Sequence, residues 1–521
     1  MALALGSSAA SKIYLGATEI ALAYLGTTQV YSAGGAFSAE AQNYFDRLDT
    51  AGDTTYVDYK QPLANYIDSL VALGGAYWDT MESSASFVGV GIQGVTVPLR
   101  NGMPSITNNN FVAGDLDQLT GLLGDASTKY IATGLTGSDL SQNDHSFSVY
   151  ATSVSKAGFV GGTYSTNFNS PIALAPGTTT TNFYSTGPLD ASTKITSAPA
   201  LVGLSRSAST EYIARTNQGD ETFTRSSGTI NTGGLSLFAV GAGVAPTASR
   251  LATYHAGPAL DLSTLQGLQE TLLAEIAGVG FSTEAANYFG RLVNAGDTTF
   301  LAYRQPLANY IDSLVTLGGA YWDTMLSSTS FVGVGIQGIT VPLRDGMTVP
   351  TNNNFVAADL DQLTGLKGDA STKYISTGLI GTDLAQNDNS ISAHITEVQT
   401  AGSYIAGSGE FPDVCNHLLV VGGNYEVRNM SATRLPVGAI ATGLFGSSRS
   451  VSTGYDYIVG GSTGSKTLTS AAPSTKAYSV FASSAALLTD VRLATYHAGP
   501  ALDLATLEGL QDTLITEIAA I

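Results

Sequence analysis

The chain repeats itself at long range, and that duplication limits its fold more than any other feature. GGAYWDTM at 74–81 returns at 318–325, GDASTKYI at 124–131 returns at 368–375, and RLATYHAGPALDL at 250–262 returns at 492–504. Trp78 reappears 244 residues on as Trp322, but Tyr254 reappears 242 on as Tyr496, so the second copy has lost a net two residues in its middle. Stacked solenoid repeats have periods of about 20–50 residues. A unit this long carries a core of its own, and the 521 residues divide into copy one, 36–279, and copy two, 280–521.

A short phrase stands ahead of the first copy and is missing ahead of the second. KIYLGATEIALAYLGTTQVYS, 12–32, states one pattern twice, as IYLGATEI and then AYLGTTQV, whereas only AGVGF, 277–281, lies between the copies. Residues 1–35 are therefore a separate module. The phrase alternates with period two, and Gly16 and Gly26 stand where tight turns would, so it reads as a small antiparallel β-element. A lone hairpin is marginal in water. Tyr14, Leu15, Tyr24 and Leu25 accordingly need an outside surface, and with Gly16 and Gly26 they are the candidate docking residues, ordered on assembly.

Each copy opens with helical periodicity. In FSAEAQNYFDRLDTAGD, Ser38 is placed to cap a helix with Ala41, Tyr44, Phe45 and Leu48 on one face, closed by Gly52. In QPLANYIDSLVALGG, Pro62 suits a first turn, Leu63, Tyr66, Ile67, Leu70 and Val71 form the stripe, and Gly74-Gly75 stops it. The texture then changes. FVGVGIQGVTVPL, STKYIATGL, DHSFSVYATSV, ALVGLSRS, STEYIARTN and LSLFAVG are short β-like runs separated by Gly, Asn and Ser, the pattern of an antiparallel sandwich or barrel. A last helix is expected from Ser263 as cap, with Leu265, Leu268, Leu272 and Ile276 on one side. Each copy thus reads as two helices, about eight to twelve strands, and one closing helix.

Resemblance between the copies is uneven. Their first thirds and extreme ends match closely, but GFVGGTYSTNFNSPIALAPGTTTTNFYS at 158–185 faces GSYIAGSGEFPDVCNHLLVVGGNYEVRN at 402–429. Variable segments on a fixed scaffold are where recognition usually resides.

Charge narrows the partners. Only 12% of residues are charged and the net charge is −19, which repels nucleic-acid phosphates and anionic membranes. With one cysteine, Cys415, no internal disulfide or thiolate cage forms, as suits folding in a reducing compartment. The N-terminus lacks a basic n-region and does not read as a signal peptide. No run approaches the length of a membrane span.

Residues that could carry chemistry are few. Nucleophilic catalysis needs a Ser or Cys beside an oriented His. Of His145, His255, His394, His417 and His497, only His255 and His497 are equivalent, both in TYHAGP, and a buried structural role is the expectation there. His145 becomes Asn389. Glycan hydrolysis needs two carboxylates flanking one bond. Asp115 and Asp117, and their counterparts Asp359 and Asp361, alternate suitably but precede TGL, where turn capping is the simpler role. TNNN at 107–110 and 351–354, with SQND at 141–144 and AQND at 385–388, offer oxygens to Ca²⁺ but read as turn residues. GVGIQG at 89–94 lacks the Lys-Ser/Thr of a phosphate loop and reads as strand glycines. Trp78 and Trp322 read as packing between helix and sheet. No catalytic residue, metal or cofactor is expected.

Three segments together resemble a known class. The doubled Tyr-Leu-Gly-x-Thr phrase is similar to an N-terminal motif of tailed-bacteriophage structural proteins. EAQNYFDRLDTAGDTTYVDYKQPLANYIDSLVALGGAYWDTM resembles the helical lead-in of phage tail and appendage proteins. GDASTKYIATGLTGSDLSQNDHSFSVYAT, LSRSASTEYIARTN and RLATYHAGPALDL with LQETLLAEI resemble the strands and closing helix of their concanavalin A-like, or laminin G-like, domain. The resemblance implies a mainly β chain: two tandem jelly-roll β-sandwiches, each flanked by two N-terminal helices and one C-terminal helix, plus the short N-terminal β-element. It implies a non-enzymatic virion protein assembled in the host cytoplasm. The expected role is that of a tail fibre, baseplate or appendage component. Other virion proteins would bind the N-terminal segment, host-surface carbohydrate is a candidate ligand, and a homo-oligomer is expected, with no nucleic-acid partner and no membrane insertion. The alternatives are a capsid decoration protein bridging head subunits, a glycan-degrading enzyme, and a pure carbohydrate-binding module.

Overall fold

The computed structural model describes residues 37–74, 77–155, 157–163, 172–176, 181–186, 190–192, 199–317, 321–399, 404–409, 415–483 and 487–521, and the backbone of four short strands within 14–32. Among these residues each copy has an eight-stranded and a seven-stranded sheet, and every pairing is antiparallel. The chain is mainly β, two sandwiches in tandem.

In copy one the larger sheet is centred on His145–Ser153, paired on one side with Ala200–Arg206 and on the other with the closing strand Arg250–Gly257. Its edge is built by Glu211–Thr216 and Gly219–Thr224. The other sheet runs from Asp190–Ser192 through Thr181–Ser185, Ile172–Pro176, Gly161–Thr163, Gly234–Leu237 and Tyr130–Thr136 to Thr107–Asn109. Copy two repeats this order around Asn389–Glu397 and the closing strand Arg492–Gly499.

The larger sheet is buried on both faces because three layers stack. Along the closing strand, side chains alternate. Thr253 and His255 turn to the helices, where Gln269 Nε2 donates to Thr253 Oγ1 at 2.7 Å and Tyr66 Oη meets the His255 ring. Tyr254 turns to the interior, stacked on Phe87 at 6.0 Å, and Phe87 meets Phe238, just past the Gly234–Leu237 strand of the second sheet, at 6.3 Å. Trp78 and Trp322, 7% and 8% exposed, pack in the core.

The helices follow the sequence closely. Ser38 Oγ accepts from Ala41 N, the helix Ala39–Thr50 buries Ala41, Tyr44, Phe45 and Leu48, and Gly52 follows it at φ +76°. The helix Lys60–Ala72 buries Leu63, Tyr66, Ile67 and Leu70. Val71 is exposed, because the stripe turns past the layer edge there. The closing helix Leu262–Gly278 buries Leu265, Leu272 and Ile276. Its cap is Asp261, not Ser263: the Asp261 carboxylate accepts from Ser263 N at 2.9 Å and Thr264 Oγ1 at 2.6 Å. A one-turn helix, Tyr77–Thr80, carries Trp78 and was not evident in the sequence.

FVGVGIQGVTVPL is not a strand. After Ser83–Ser86 the chain turns irregularly, with a 3₁₀ turn at Gly94–Thr96. The cause is a carboxylate 38 residues earlier. Gly91 N donates to Asp53 Oδ2 at 2.6 Å and Thr55 N to Oδ1 at 2.8 Å, so the loop wraps the 1%-exposed Asp53. A Cβ on Gly94 would lie 2.2 Å from Asp53 Oδ2, and one on Gly338 would lie 2.2 Å from Asp297 Oδ2. Gly94→Ala is expected to destabilise copy one by about 3 kcal/mol, at the upper end of overpacking costs. A urea titration showing a change below about 1 kcal/mol would refute that role for the glycine.

The copies meet through a helical hairpin. The closing helix of copy one ends at Gly278 and the first helix of copy two, Thr283–Asn294, folds back along it. Small residues let the two backbones approach. A Cβ on Gly278 would lie 2.7 Å from Ala286 Cβ, and one on Gly290 would lie 3.4 Å from Ala274 Cβ. Arg304 Nη1 donates across the joint to Ala277 O at 3.0 Å, with its guanidinium over Phe281.

The doubled N-terminal phrase forms two separate hairpins. Tyr14–Leu15 pairs with Thr18–Glu19, and Leu22–Leu25 pairs with Thr28–Ser32. Each is a two-stranded sheet of its own. The side chains of Tyr14, Leu15, Tyr24 and Leu25, and all of Gly16 and Gly26, lie outside the described residues.

Candidate functional site

The histidines shared by both copies are structural. His255 is fully buried, its Nε2 2.6 Å from Tyr66 Oη and its Nδ1 3.0 Å from Ser84 Oγ. Ser84 Oγ also donates to Tyr254 O at 2.9 Å. One proton arrangement satisfies all of this: Ser84 donates to the carbonyl, accepts from Nδ1–H, and Tyr66 donates to Nε2. Burial pushes the imidazole down to about 3, which keeps it neutral as that arrangement requires. Tyr310, His497 and Ser328 repeat the geometry at 2.6 and 3.0 Å. Where a triad would have an acid there is a tyrosine, and the serine is fully buried.

His145 is structural in a different way. Its Nδ1 meets Ser141 O at 2.7 Å and its Nε2 meets Ser185 Oγ at 3.1 Å. Asn389, in its place, donates from Nδ2 to Ala385 O at 2.8 Å. The swap preserves the donor to the carbonyl four residues back. His417 is buried against Gly409 O and Ser483 Oγ, each 2.9 Å from Nε2.

The alternating carboxylates are engaged in turns and an ion pair. Asp115 accepts from Val112 N at 2.8 Å and from Lys129 Nζ at 2.6 Å, while Asp117 Oδ1 accepts from Leu119 N and Thr120 N at 2.8 and 3.0 Å. Asp359 and Asp361 make the same contacts in copy two. Burial works against the Asp361 anion, but backbone N–H groups, the Thr364 hydroxyl and Arg492 outweigh it and hold its carboxyl below the usual range. The Asn-rich loops are likewise turns: Asn108 bonds Phe111 in both directions, and Asn110, at φ +70°, donates to Thr128 O. Among the described residues no three metal-ligating side chains converge.

The part free to differ between copies is one half of the smaller sheet. The diverged segments supply Gly161–Thr163, Ile172–Pro176 and Thr181–Ser185 in copy one, and Tyr404–Ser408, Cys415–Val421 and Asn424–Ser431 in copy two. The conserved larger sheet and its helices hold them. Sequence reasoning missed the residue that ties the halves together. Arg206, fully buried at the end of its strand in the larger sheet, donates to Ser185 Oγ and Ser185 O of the smaller sheet, both at 3.0 Å, and to Arg225 O at 3.0 Å. Arg449 makes the same clamp on Asn429 Oδ1 at 2.9 Å, Asn429 O at 2.8 Å and Leu468 O at 3.0 Å. The signal was present in LSRSAST and SSRSVST, a strand-end arginine repeated beside the divergent region.

No protein-family profile matches the chain, and no curated protein matches it in sequence. Solved structures do show similarity. Domains LG4-5 of the mouse laminin alpha1 chain match over 70% of this chain and 84% of their own length, at 9% identity and TM-score 0.22. The botulinum neurotoxin serotype D binding domain matches over 37% and 52%, at 11% identity and TM-score 0.29. A sialidase of Trypanosoma rangeli matches over 66% and 61%, at 10% identity and TM-score 0.27.

Proposed function

We propose that the chain is a structural component of a bacteriophage particle, belonging to a tail fibre, baseplate or other appendage. Residues 1–35 dock it to neighbouring virion proteins, and the two sandwiches face outward toward host-surface carbohydrate. The observation that carries this reading is the N-terminal pair of hairpins. They occur once in a chain that otherwise repeats, and among the described residues neither is paired with a sandwich sheet. Two-stranded sheets are too small to be stable alone, so they need a surface that the rest of the chain does not provide by strand pairing. The acidic, sparsely charged composition favours a soluble outer part.

Deleting residues 1–35 is expected to leave the thermal unfolding of the sandwiches unchanged and to abolish incorporation into particles, read by immunoblot of purified virions. Normal incorporation of the truncated chain would defeat the docking role. Imaging of intact particles separates this reading from capsid decoration, which requires the chain on the head shell.

A further inference from the structure

One place on the shared scaffold is closed in copy one and open in copy two. In copy one, Tyr150 fills the space between the central strand and the closing helix and is 1% exposed. Beside it a bonded chain seals the edge: Arg215 Nε donates to Gln266 Oε1 at 2.6 Å, and Gln266 Nε2 donates to Glu270 Oε1 at 2.7 Å. In copy two the four equivalent residues are His394, Ile458, Glu508 and Asp512. His394 faces Thr495 as Tyr150 faces Thr253, and Ile458 faces Gly446 as Arg215 faces Gly203. A groove of about 720 Å³ lies here, lined by His394, Glu508 and Asp512 and by glycines 443, 460 and 461. That volume lies within the range of small-molecule sites, about 300–1,000 Å³.

The groove holds polar groups with unused bonding capacity. His394 is 4% exposed, and its Nδ1 is sealed from solvent without a hydrogen-bond partner, so only the other edge of the ring can serve a ligand. Gln511 lies close enough to raise the ring's proton affinity, but neither of its amide atoms reaches bonding geometry. The Nε2 edge of the ring is 3.6 Å from Asp512 Oδ1. Glu508 Oε1 takes both local backbone donors, Leu444 N at 3.0 Å and Gly461 N at 2.9 Å, which leaves Oε2 for a further donor. Two carboxylates accept hydrogen bonds and repel anions, the Nε2 edge of the imidazole adds one polar atom, and Leu363, Ile395 and Ile515 add apolar surface to the lining. Hydroxyl groups on an aliphatic ring match that mixture.

We propose that this groove of copy two, lined by His394, Glu508 and Asp512, binds a neutral, hydroxyl-rich ligand of the saccharide class. The proposal deepens the carbohydrate-facing part of the reading above and rests on it for the source of the sugar; it is independent of where in the particle the chain sits.

The test uses the full chain and ligand-observed NMR with galactose, glucose, mannose, N-acetylglucosamine and N-acetylgalactosamine, with sialic acid as the anionic control and spermidine as the cationic one. At least one neutral sugar is expected to bind, and sialic acid is not. His394→Tyr restores the residue that copy one accommodates at this position, and it is expected to weaken binding about tenfold or more. Asp512→Ala is expected to weaken it without filling the groove. No neutral sugar bound at up to about 10 mM, near the limit of measurable affinity, overturns the proposal, as does a response to spermidine alone. Sugar binding that survives His394→Tyr, with thermal unfolding unchanged, also overturns it while leaving carbohydrate attachment standing. Failure of the virion reading would appear separately, as a truncated chain that still incorporates.

Discussion

Acidification from pH 7 to pH 4 is expected to unfold both copies. Each holds two histidines sealed from water, His145 and His255 in the first and His417 and His497 in the second, all with no exposed surface. Burial pushes His145 down to about 4 and the other three to about 3. In the unfolded chain each returns to about 6.5. Above that value the rings are neutral in both states and stability is intact. Below it the unfolded chain takes up protons that the folded chain refuses, so stability falls until the folded values are reached and then levels off. Each pH unit in that interval costs about 1.4 kcal/mol per histidine, so at pH 4 a copy loses roughly 6–7 kcal/mol. Domains of ordinary stability hold only about 5–15 kcal/mol. The measurement is circular dichroism and tryptophan fluorescence against pH. Asn389 supplies a built-in control, because it fills the place of His145 in copy two. His145→Asn is expected to lower the acid midpoint of copy one alone. An unchanged midpoint would remove His145 from the account.

Removing either buried arginine is the second large effect. Arg449→Leu takes away a guanidinium whose acceptors are neutral: Asn429 Oδ1 and the carbonyls of Asn429, Leu468 and Val451. The Tyr455 ring lies 5.4 Å from the cation. Burial draws Arg449 below its ordinary value, but its hydrogen bonds still need a charged planar donor. Leucine fills part of the volume and orphans the acceptors, which costs about 3–5 kcal/mol by analogy with breaking a buried charge interaction. For a domain of this size that is roughly 10 °C in melting temperature. Lysine would not restore it, since one ammonium cannot reach acceptors spread across two sheets. Scanning calorimetry of Arg206→Leu, Arg449→Leu and Arg449→Lys decides the matter. A loss below about 1 kcal/mol in both leucine variants would show that the clamps are dispensable.

The helices were legible because their information is local. Ser38, the stripe from Ala41 to Leu48 and Gly52 lie within one window, and a 3.6-residue period is readable there. The strands were legible wherever β-branched and aromatic residues cluster, as in 145–153. Long-range contacts were not legible. Nothing near GVGIQG announces that Asp53 lies beneath it, so the glycines read as strand residues when they are room for a carboxylate. The capping error has a similar cause: Asp261 and Ser263 are both good caps, and only the turn after the closing strand selects between them. At the candidate site, turn capping by the carboxylate pairs and burial of the TYHAGP ring were legible in the residues themselves, and their hydrogen bonds match. The groove at His394 was invisible because its lining is drawn from residues scattered from 363 to 516, each bland by itself.

The helical hairpin between the copies also fixes their order. The contact is asymmetric, Ala274 and Gly278 on one helix against Ala286 and Gly290 on the other. A head-to-tail contact of this kind, offered again at both outer ends, would propagate into a filament. The outer ends do not offer it. Where the joint has Ala286 and Gly290, the first helix of copy one has Gln42 and Asp46, bonded to each other at 2.8 Å. Where the joint has Ala274 and Gly278, the last helix has Thr516 and Ala520. The two copies therefore have fixed places relative to each other, one leading and one trailing. A partner that grips both meets an ordered pair of unlike faces at one set distance, a polarity that two free copies could not provide.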